Sequence, residues 1–204
     1  MLTDGVSLSF LLALVTAYLV GSIPFGVIIS RLFRVPDPRH TGSRNIGFTN
    51  VLRTSGKKTV GILTLLGDVG KGWLITWGAK YLFGEPWTLV LACSVVLGHI
   101  FSVFLRFHGG KGVATGLGSI LGLDPFWGSL LIAIWLAVVG ISRYSSAGAL
   151  AAFGLFPILA VVFWPSLDFV IFAWVLSGVI WWRHQENLRR LMHGTERRIG
   201  ENIS

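Results

Sequence analysis

The chain consists of long apolar runs that are separated by short basic segments. The first run, residues 6–29, has no charged side chain, and a spanning helix needs about 20 such residues. Of the 204 residues, 53% are hydrophobic and only 13% are charged, which excludes an ordinary soluble domain. The sequence therefore predicts an all-α, polytopic integral membrane helix bundle, with residues 1–204 in a single domain.

The charges in the turns assign each end of the bundle to one side of the membrane. Arg31 and Arg34 follow the first run directly, and cytoplasmic segments are typically rich in lysine and arginine. The opposite turns carry acidic but no basic residues, namely Asp4, Glu85, Asp124 and Asp168. We expect about seven transmembrane helices, with the N-terminus outside and the C-terminus cytoplasmic. The runs are residues 6–29, 59–83, 87–105, 113–142 as a pair broken at Asp124-Pro125, 147–164 and 169–182.

Two of these runs are expected to be irregular. Residues 113–123 are short for a bilayer of ordinary thickness, so they form either a thin spanning helix or part of a re-entrant loop. The count of six or seven spans stays open at this point. In the first run, Pro24 is expected to kink the helix, and the small residues Gly21, Ser22 and Gly26 permit close helix contact.

The second run contains two ionisable side chains, Asp68 and Lys71, three residues apart. Charges inside a membrane are usually paired or functional, so we expect these two to pair and brace the bundle. Direct contact with a substrate is the alternative. The net charge of +8 comes mostly from the basic segments, which set topology and meet lipid headgroups, and nucleic acid is not expected as a partner. The single cysteine, Cys93, excludes an intramolecular disulfide.

A glycine loop, residues 109–112, leads from the third apolar run to the next and places Lys111 at the membrane surface. Glycines let the backbone approach a ligand closely, and the N-terminus of the following helix attracts an anion. Thr115 follows Lys111 by one helical turn, with Arg106 and His108 just upstream. The pattern predicts a phosphate or carboxylate site, although not a Walker A loop, whose spacing differs. A flexible basic turn is the alternative.

A second cytoplasmic segment carries polar residues at helical spacing. Residues 45–54 predict a short surface helix that ends near Gly56. Asn45, Thr49 and Arg53 form one polar stripe on it, because residues four apart share a helix face. The stripe either holds a phosphate or is a solvated face.

The C-terminal tail is expected to continue as a helix beyond the last apolar run. Helical spacing places His184 and Asn187 on the side that faces the bundle, together with Leu188 and Leu191. The other side carries charged residues that we expect to face solvent or lipid headgroups: Arg183, Glu186 and Arg190.

The cytoplasmic segments together collect hydroxyl, amide and cationic side chains with few carboxylates. Such a set suits an anion, whereas magnesium and zinc need grouped carboxylate, histidine or cysteine ligands. We therefore expect no metal and no cofactor. The residues concerned are Ser43, Asn45, Thr49, Arg53, Lys111, Thr115, His184 and Asn187.

The same residues lie in five motifs that follow one another along nearly the whole chain. The motifs are Gly21-Ser-Ile-Pro-Phe-Gly26, Gly42-Ser-Arg-Asn-Ile-Gly-Phe-Thr-Asn-Val-Leu-Arg53, Gly67-Asp68 with Lys71-Gly72, Gly98-His99 through Thr115, and His184-Gln-Glu-Asn187 with Gly194-Thr-Glu196. By these motifs the chain resembles the bacterial acyl-phosphate-dependent glycerol-3-phosphate acyltransferases, the PlsY family.

The resemblance implies an activity and a location. A fatty acyl group passes from acyl phosphate, which a phosphate acyltransferase supplies, to the 1-hydroxyl of sn-glycerol 3-phosphate. Lysophosphatidic acid and phosphate are the products, and neither acyl-CoA, acyl carrier protein nor a metal takes part. The reaction is the first acylation of phospholipid synthesis, at the cytoplasmic face of the bacterial inner membrane, among membrane lipids.

The resemblance also implies roles for single residues. The residues implied to hold the two phosphate-bearing substrates and to carry the catalysis are Ser43, Arg53, Lys111, His184 and Asn187. The further substrate-binding candidates are Asn45, Thr49, Gly109, Gly110 and Thr115. Two positions depart from the family pattern, since Arg44 stands where the family usually has Gly and Phe48 where it has Ala. Arg44 either strains the turn or adds a phosphate contact.

An acyl phosphate is already activated, so the protein mainly has to align two anions and neutralise developing charge. We expect direct attack without a covalent intermediate, with Arg53 and Lys111 on the phosphates. The amides of Gly109 and Gly110 are expected near the acyl oxygen. The proton acceptor is either a substrate phosphate oxygen or His184.

Two other classes of protein compete with this interpretation. An anion or lipid-phosphate transporter also uses broken helices and intramembrane charges, but the chain has no matching halves and its polar groups lie mostly at one face. An acyltransferase that uses acyl-CoA usually has a His-x4-Asp pair, and none of the five histidines is followed by Asp at that spacing.

Overall fold

The computed structural model describes residues 7–164 and 166–200, and every regular element in these ranges is helical. Asp4, the start of the first run at Val6, and Pro165 lie outside the described residues. The elements in chain order are α1 Leu8–Ser22, α2 Phe25–Leu32, α3 Phe48–Ser55, α4 Lys58–Leu82, α5 Trp87–Ile100, a 3-10 turn Val103–Leu105, α6 Val113–Leu123, α7 Pro125–Ser142, α8 Ser145–Phe163, α9 Leu167–Arg183 and α10 Gln185–Met192.

Several of these helices have the length and composition of membrane spans. Trp87–Leu105, Pro125–Ser142 and Ser145–Phe163 are each apolar enough to cross a bilayer, and α1 with α2 makes a fourth candidate. The all-helical membrane architecture is therefore confirmed, whereas the count of seven spans stays a prediction.

The first apolar run is bent by 44° between α1 and α2, at Ile23 and Pro24. Proline lacks the N–H that would continue the ladder, so the predicted kink is confirmed. The break leaves backbone carbonyls without helical partners, and side chains from other parts of the chain bond them. Lys71 Nζ donates to Ile23 O at 2.8 Å, and Ser102 Oγ donates to Ser22 O at 2.5 Å.

The predicted pair within α4 is present. Lys71 Nζ lies 2.9 Å from Asp68 Oδ1 and 2.9 Å from His99 Nδ1 on α5, and all three side chains are buried. Lys80, nearer the other end of α4, does not simply extend to the membrane interface. Its Nζ donates to Leu123 O at 2.9 Å and so satisfies a carbonyl at the end of α6.

Helices α4 and α6 cross so closely that glycine is required at the contact. A Cβ on Gly72 would lie 2.2 Å from Thr115 O, and a Cβ on Gly118 would lie 2.1 Å from Val69 O. Without a hydrophobic driving force between helices in lipid, close backbone packing is a main source of their association. Small residues in both helices therefore permit this close crossing.

The apolar core lies among α5, α6, α8 and α9, with Phe153, Phe156 and Phe169 fully buried at its centre. Helix α7 lies at the edge of the bundle, since it buries only Trp127, Gly128 and Leu131. Its other side chains, like the many exposed apolar residues of α1, α8 and α9, are suited to contact lipid.

Gly72→Ala should destabilise the protein in detergent, because its methyl group has no room against the Thr115 carbonyl. Overpacking of this kind typically reduces the free energy of unfolding by about 1–3 kcal/mol. The measurement is thermal unfolding of the purified protein. Gly78→Ala is the control, since nothing lies within 4 Å of its added Cβ. Equal melting temperatures for the two variants would contradict the close crossing.

Candidate active site

A cavity of about 300 Å³ lies where α3, the N-termini of α6 and α8, and α10 meet. Seven residues predicted from the sequence line it, and they come from three segments that are far apart in the chain. These residues are Ser43, Asn45, Thr49, Arg53, Lys111, His184 and Asn187. The predicted convergence of the polar segments is therefore seen in the structure, which leaves their roles as predictions.

Thr115 is the exception among the polar side chains. It is fully buried and lies outside the cavity lining, with its carbonyl against Gly72. The prediction that Thr115 and Lys111 face one ligand is wrong, because α6 begins only at Val113 and Gly112 has φ 87°. Helical spacing therefore does not apply between the two residues.

The glycine loop does not present its amides as predicted. Gly109 N–H donates to Ile100 O at 3.0 Å, and Gly110 N–H donates to His99 O at 3.0 Å. The loop therefore folds back on the end of α5, and these two donors are already used. With the loop in this conformation, the expectation that these N–H groups stabilise the acyl oxygen is wrong. Neither glycine is among the residues of the cavity wall.

His99 fills the space beneath the loop. A Cβ on Gly110 would lie 2.1 Å from His99 Nε2, so the ring packs directly against the Gly110 backbone. Asp68 and His99 also belong to the lining of the cavity. The buried group of Asp68, Lys71 and His99 thus supports the loop that carries Lys111.

Lys111 is held by a short chain of hydrogen bonds. Its Nζ donates to Asn187 Oδ1, and Asn187 Nδ2 donates to Glu196 Oε1 at 2.6 Å. Glu196 also accepts from Ser146 Oγ at 2.7 Å and from Arg190 Nε at 2.7 Å. These contacts fix which end of the Asn187 amide faces the lysine, and they position its ammonium group in the cavity.

Burial and neighbouring charges tune these groups. Burial lowers the pKa of Lys111 to about 8, with nearby Arg190 and Arg183 acting in the same direction. Burial by itself raises the pKa of Glu196, but hydrogen bonds from Ser146, Arg190 and Asn187 outweigh it and the pKa is lowered. Glu196 therefore stays ionised near neutral pH, while Lys111 is close to its titration point.

His184 is neutral in this environment. Burial lowers its pKa to about 4, with the charge of Lys111 adding to the effect. Nδ1 lies 2.8 Å from Ile180 O, and a carbonyl only accepts, so Nδ1 carries the proton. Nε2 is then left with a lone pair. The inward orientation predicted for His184 and Asn187 is confirmed, since they are 3% and 5% exposed.

For the C-terminal helix α10 and the residues beside it, the prediction of which side chains face solvent is only partly correct. Leu188, expected to face the bundle, is 36% exposed, whereas Arg190, expected to face solvent, pairs with Glu196 and lines the cavity. Arg183 donates to Gly110 O at 3.4 Å. Only Glu186 is fully on the predicted side, with an exposed carboxylate.

Residues 193–200, here called the C-terminal strap, turn back over the cavity. Ile199 N–H donates to Arg143 O at 2.8 Å, and Arg143 Nη2 donates to Ile199 O at 3.1 Å. Arg53 Nη2 lies 3.4 Å from the carbonyl oxygens of both Arg197 and Arg198. The strap carries Glu196 and Arg197 to the cavity wall, which helical periodicity did not predict.

Asn50 organises the loop before α3. Its Oδ1 accepts from Ser43 N at 2.8 Å, and its Nδ2 donates to the carbonyls of Pro38, Thr41 and Asn45. Helix α3 itself begins at Phe48, three residues later than predicted, and ends at Ser55 with Gly56 as its cap, close to the predicted end. Asn45 therefore precedes the helix and reaches the cavity from this loop.

The cavity also has an apolar part, formed by Phe48, Leu65, Leu117 and Trp135. Thr49 Oγ1 lies 2.9 Å from Ser145 Oγ, and Trp135 Nε1 donates to Ser145 O at 3.2 Å. One cavity therefore combines cationic and amide groups with a surface that suits a hydrocarbon chain.

Comparison with known proteins relates the chain to enzymes. A family model described as glycerol-3-phosphate acyltransferase matches residues 11–194. The glycerol-3-phosphate acyltransferase of Aromatoleum aromaticum is 48% identical over 198 residues, 97% of this chain and 100% of that relative. The one of Methylobacillus flagellatus is 47% identical over 189 residues, 92% of this chain and 95% of that relative.

Two crystal structures have the same fold. Both are described as PlsY (YgiH), an integral membrane glycerol 3-phosphate acyltransferase. The glycerol 3-phosphate form has a TM-score of 0.89 at 36% identity, and the lysophosphatidic acid form has 0.86 at 34% identity. Each comparison covers 94% of this chain and 96% of the other.

Glu196→Gln should loosen the C-terminal strap. Ser146, Asn187 and Arg190 all donate to this carboxylate, so the amide nitrogen of Gln would face a donor whichever way it turned. Loss of such charge-assisted bonds typically reduces stability by about 1.5–3 kcal/mol. The measurements are melting temperature and the rate of proteolysis within residues 193–200.

Glu186→Gln is the matched control, because Glu186 lies 3.8 Å from the same Arg190 but is exposed. Its melting temperature should equal that of the wild type. If Glu196→Gln also behaved like the wild type, the strap would not depend on this carboxylate.

Proposed function

Because the chain belongs to the glycerol-3-phosphate acyltransferase family, we propose that it transfers a fatty acyl group from acyl phosphate to sn-glycerol 3-phosphate. The chain is an integral membrane acyltransferase, and the donor and the acylated 1-hydroxyl are the proposed details. The products are lysophosphatidic acid and inorganic phosphate. One observation carries the proposal: a single cavity joins Lys111, Arg53 and Asn187 to an apolar wall.

The two proposed substrates differ in polarity, and so do the two parts of the cavity lining. Glycerol 3-phosphate is small and water-soluble, whereas acyl phosphate carries a long hydrocarbon chain. The cationic and amide groups suit the two phosphates, and Phe48, Leu117 and Trp135 suit the start of the acyl chain. The forms named for the neighbouring crystal structures, glycerol 3-phosphate and lysophosphatidic acid, support the same substrate and product here.

Lys111 and Arg53 supply the positive charge for the phosphates. Asn187 holds the Lys111 ammonium in place, so its remaining N–H groups are available to a ligand. The backbone around Ser43 is fixed by Asn50, which leaves the Ser43 hydroxyl to bond a phosphate oxygen. Asn45 and Thr49 complete the polar lining. Preorganised cations of this kind stabilise the charge that develops during transfer.

The reaction is a single displacement at the acyl carbonyl. The 1-hydroxyl oxygen of glycerol 3-phosphate attacks the carbonyl carbon, and the bond from that carbon to the phosphate oxygen breaks. Phosphate leaves with the bonding electron pair, and the hydroxyl proton moves to a phosphate oxygen. No covalent enzyme intermediate is needed, because the leaving group is already good and the site aligns both reactants.

A phosphate oxygen is favoured over His184 as the proton acceptor. The second pKa of a phosphate ester is about 6, so its dianion is a stronger base than an imidazole whose pKa is lowered to about 4. His184 Nε2 is an acceptor that orients the glycerol hydroxyl groups. His184 is therefore assigned to positioning rather than proton transfer.

The membrane orientation is proposed from charge. The cavity shares one end of the bundle with Arg143 and Lys111. The acidic residues Glu85, Asp124 and Asp168 lie at the alternate helix connections along the chain. The positive-inside rule then puts the cavity on the cytoplasmic face of the bacterial inner membrane, with seven spans and an external N-terminus. The related proteins reported above are enzymes, and none supports the transporter alternative.

Purified protein in lipid should form lysophosphatidate from labelled glycerol 3-phosphate and palmitoyl phosphate, and not from palmitoyl-CoA. Chelator should leave the rate unchanged. Lys111→Ala should lower kcat/KM at least about 100-fold, because it removes a cation that stabilises transferred charge. Lys80→Ala, a lysine at the far end of α4, is the control. Product from the CoA donor alone would overturn the proposed donor.

Activity should fall as Lys111 loses its proton. The cationic form binds phosphate, so kcat/KM should decline above pH 8, the value near which this lysine titrates in the free enzyme. Bound phosphate favours the cation, so kcat should decline only at higher pH. The measurement is the pH profile from 7 to 9.5, corrected for uncatalysed hydrolysis. Lys111→Arg keeps its charge throughout this range, so its residual activity should lack the decline.

A further inference from the structure

A second cavity of about 310 Å³, here called the basic cleft, adjoins the first. The two share Ser43, Asn45 and Lys111, so Lys111 lies at their boundary. The cleft adds two guanidinium groups and one exposed carboxylate to this set. Its further lining residues are Arg44, Gly109, Trp182, Arg183, Gln185 and Glu186.

Cationic residues make up a larger share of the cleft lining than of the first cavity's lining, and apolar residues make up a smaller share. Three of its residues, Arg44, Lys111 and Arg183, are cations, against one carboxylate at Glu186. None of the residues that form the apolar part of the first cavity lines the cleft. A small anion is therefore attracted to it, whereas a hydrocarbon chain gains little there.

Arg44 occupies an unfavourable backbone conformation. Its φ is 59°, in the left-handed region that glycine adopts freely and that residues with a Cβ rarely do. Its N–H donates to Thr41 O at 3.1 Å, which closes the turn without help from the side chain. Glycine would adopt this backbone conformation without strain. The presence of arginine instead suggests that its side chain has a function.

The Arg44 guanidinium contributes no contact that would explain this strain. It makes no hydrogen bond or ion pair with any residue that the structure describes, and it is exposed at the cleft. Arg183 differs, since its Nε donates to Gly110 O and its guanidinium lies 5.6 Å from the Trp182 ring. Arg183 is therefore a fixed part of the cleft, and Arg44 is its available cation.

We propose that the basic cleft binds the phosphate group of glycerol 3-phosphate before it enters the first cavity, and that Arg44 determines the strength of this capture. The inference rests on the proposed function and adds an entry site to it. Because Lys111 lines both cavities, a phosphate can pass from Arg44 to Lys111 without losing cationic partners. Arg44 acts on binding and does not contact the reacting carbonyl.

Arg44→Gly tests this directly, because glycine removes the cation and also suits the backbone conformation. At low ionic strength KM for glycerol 3-phosphate should rise about fivefold, the order expected for one partly screened charge. Meanwhile kcat should stay within about twofold and KM for acyl phosphate should not change. In 0.5 M salt the difference from wild type should nearly disappear, because salt screens an exposed charge.

Arg34→Gly is the matched control. Arg34 also has a positive φ, 51°, is exposed, and lines neither the cavity nor the cleft. Its side chain likewise has no hydrogen bond or ion pair with a described residue. The two variants therefore lose the same charge and relieve the same kind of strain, and both should keep or slightly raise the melting temperature. Only Arg44→Gly should change KM.

Several outcomes would overturn the proposal. They are an equal KM for the two variants at low salt, a KM change that salt does not reduce, or a change confined to acyl phosphate. Arg44→Asn, a residue that tolerates the left-handed region, provides a second variant if Arg44→Gly proves unstable. Calorimetric binding of glycerol 3-phosphate gives a readout without turnover. A wild type that binds it but transfers no acyl group would contradict the proposed function and leave the capture test intact.

Discussion

The buried ammonium of Lys71 is the interaction on which the rest of the site depends. It contacts Asp68 on its own helix, His99 on α5, and the Ile23 carbonyl that the kink in the first span leaves without a helical partner. Inside a membrane, a buried cation and a carbonyl that has lost its helical partner are each costly, and their hydrogen bond lowers both costs. Three apolar segments are thereby tied together at one point. The kink at Pro24 and the charges in α4 are parts of one arrangement.

This arrangement continues to the glycine loop. Lys71 fixes the His99 ring, whose Nε2 packs against Gly110, while the His99 carbonyl accepts the Gly110 N–H. The loop is held from below, and Lys111 is held from the side by Asn187. Its ammonium is therefore held in place in advance, which is the condition for strong electrostatic stabilisation of the phosphate that we propose it binds. Asp68 and Lys71 thus support the loop that carries Lys111, in agreement with the structural role predicted from the sequence.

Features with a strong local signal could be predicted from the sequence. Apolar length predicted the spans, Pro24 predicted the kink, and the motifs predicted seven residues of the cavity. The failures have physical reasons. The glycine spacing does not indicate that Gly109 and Gly110 direct their amides onto α5, and an exposed Leu188 has the same periodicity as a buried one. The four bonds of Asn50 depend on a loop whose path only the folded chain defines.

A membrane enzyme that joins a lipid to a water-soluble anion has to admit the two substrates by different routes. Hydrocarbon is excluded from a strongly cationic cleft, and a phosphate is excluded from an apolar wall, so one entrance cannot serve both well. The two cavities separate these properties, with Phe48 and Trp135 lining one and Arg44 the other. Lys111 lines both, so in the proposed reaction the two substrates meet at the residue whose charge that reaction requires. The same geometry explains why its pKa is low: burial outweighs the attraction of the nearby Glu196 carboxylate, and the hydrogen-bond partner of Lys111 is the neutral amide of Asn187.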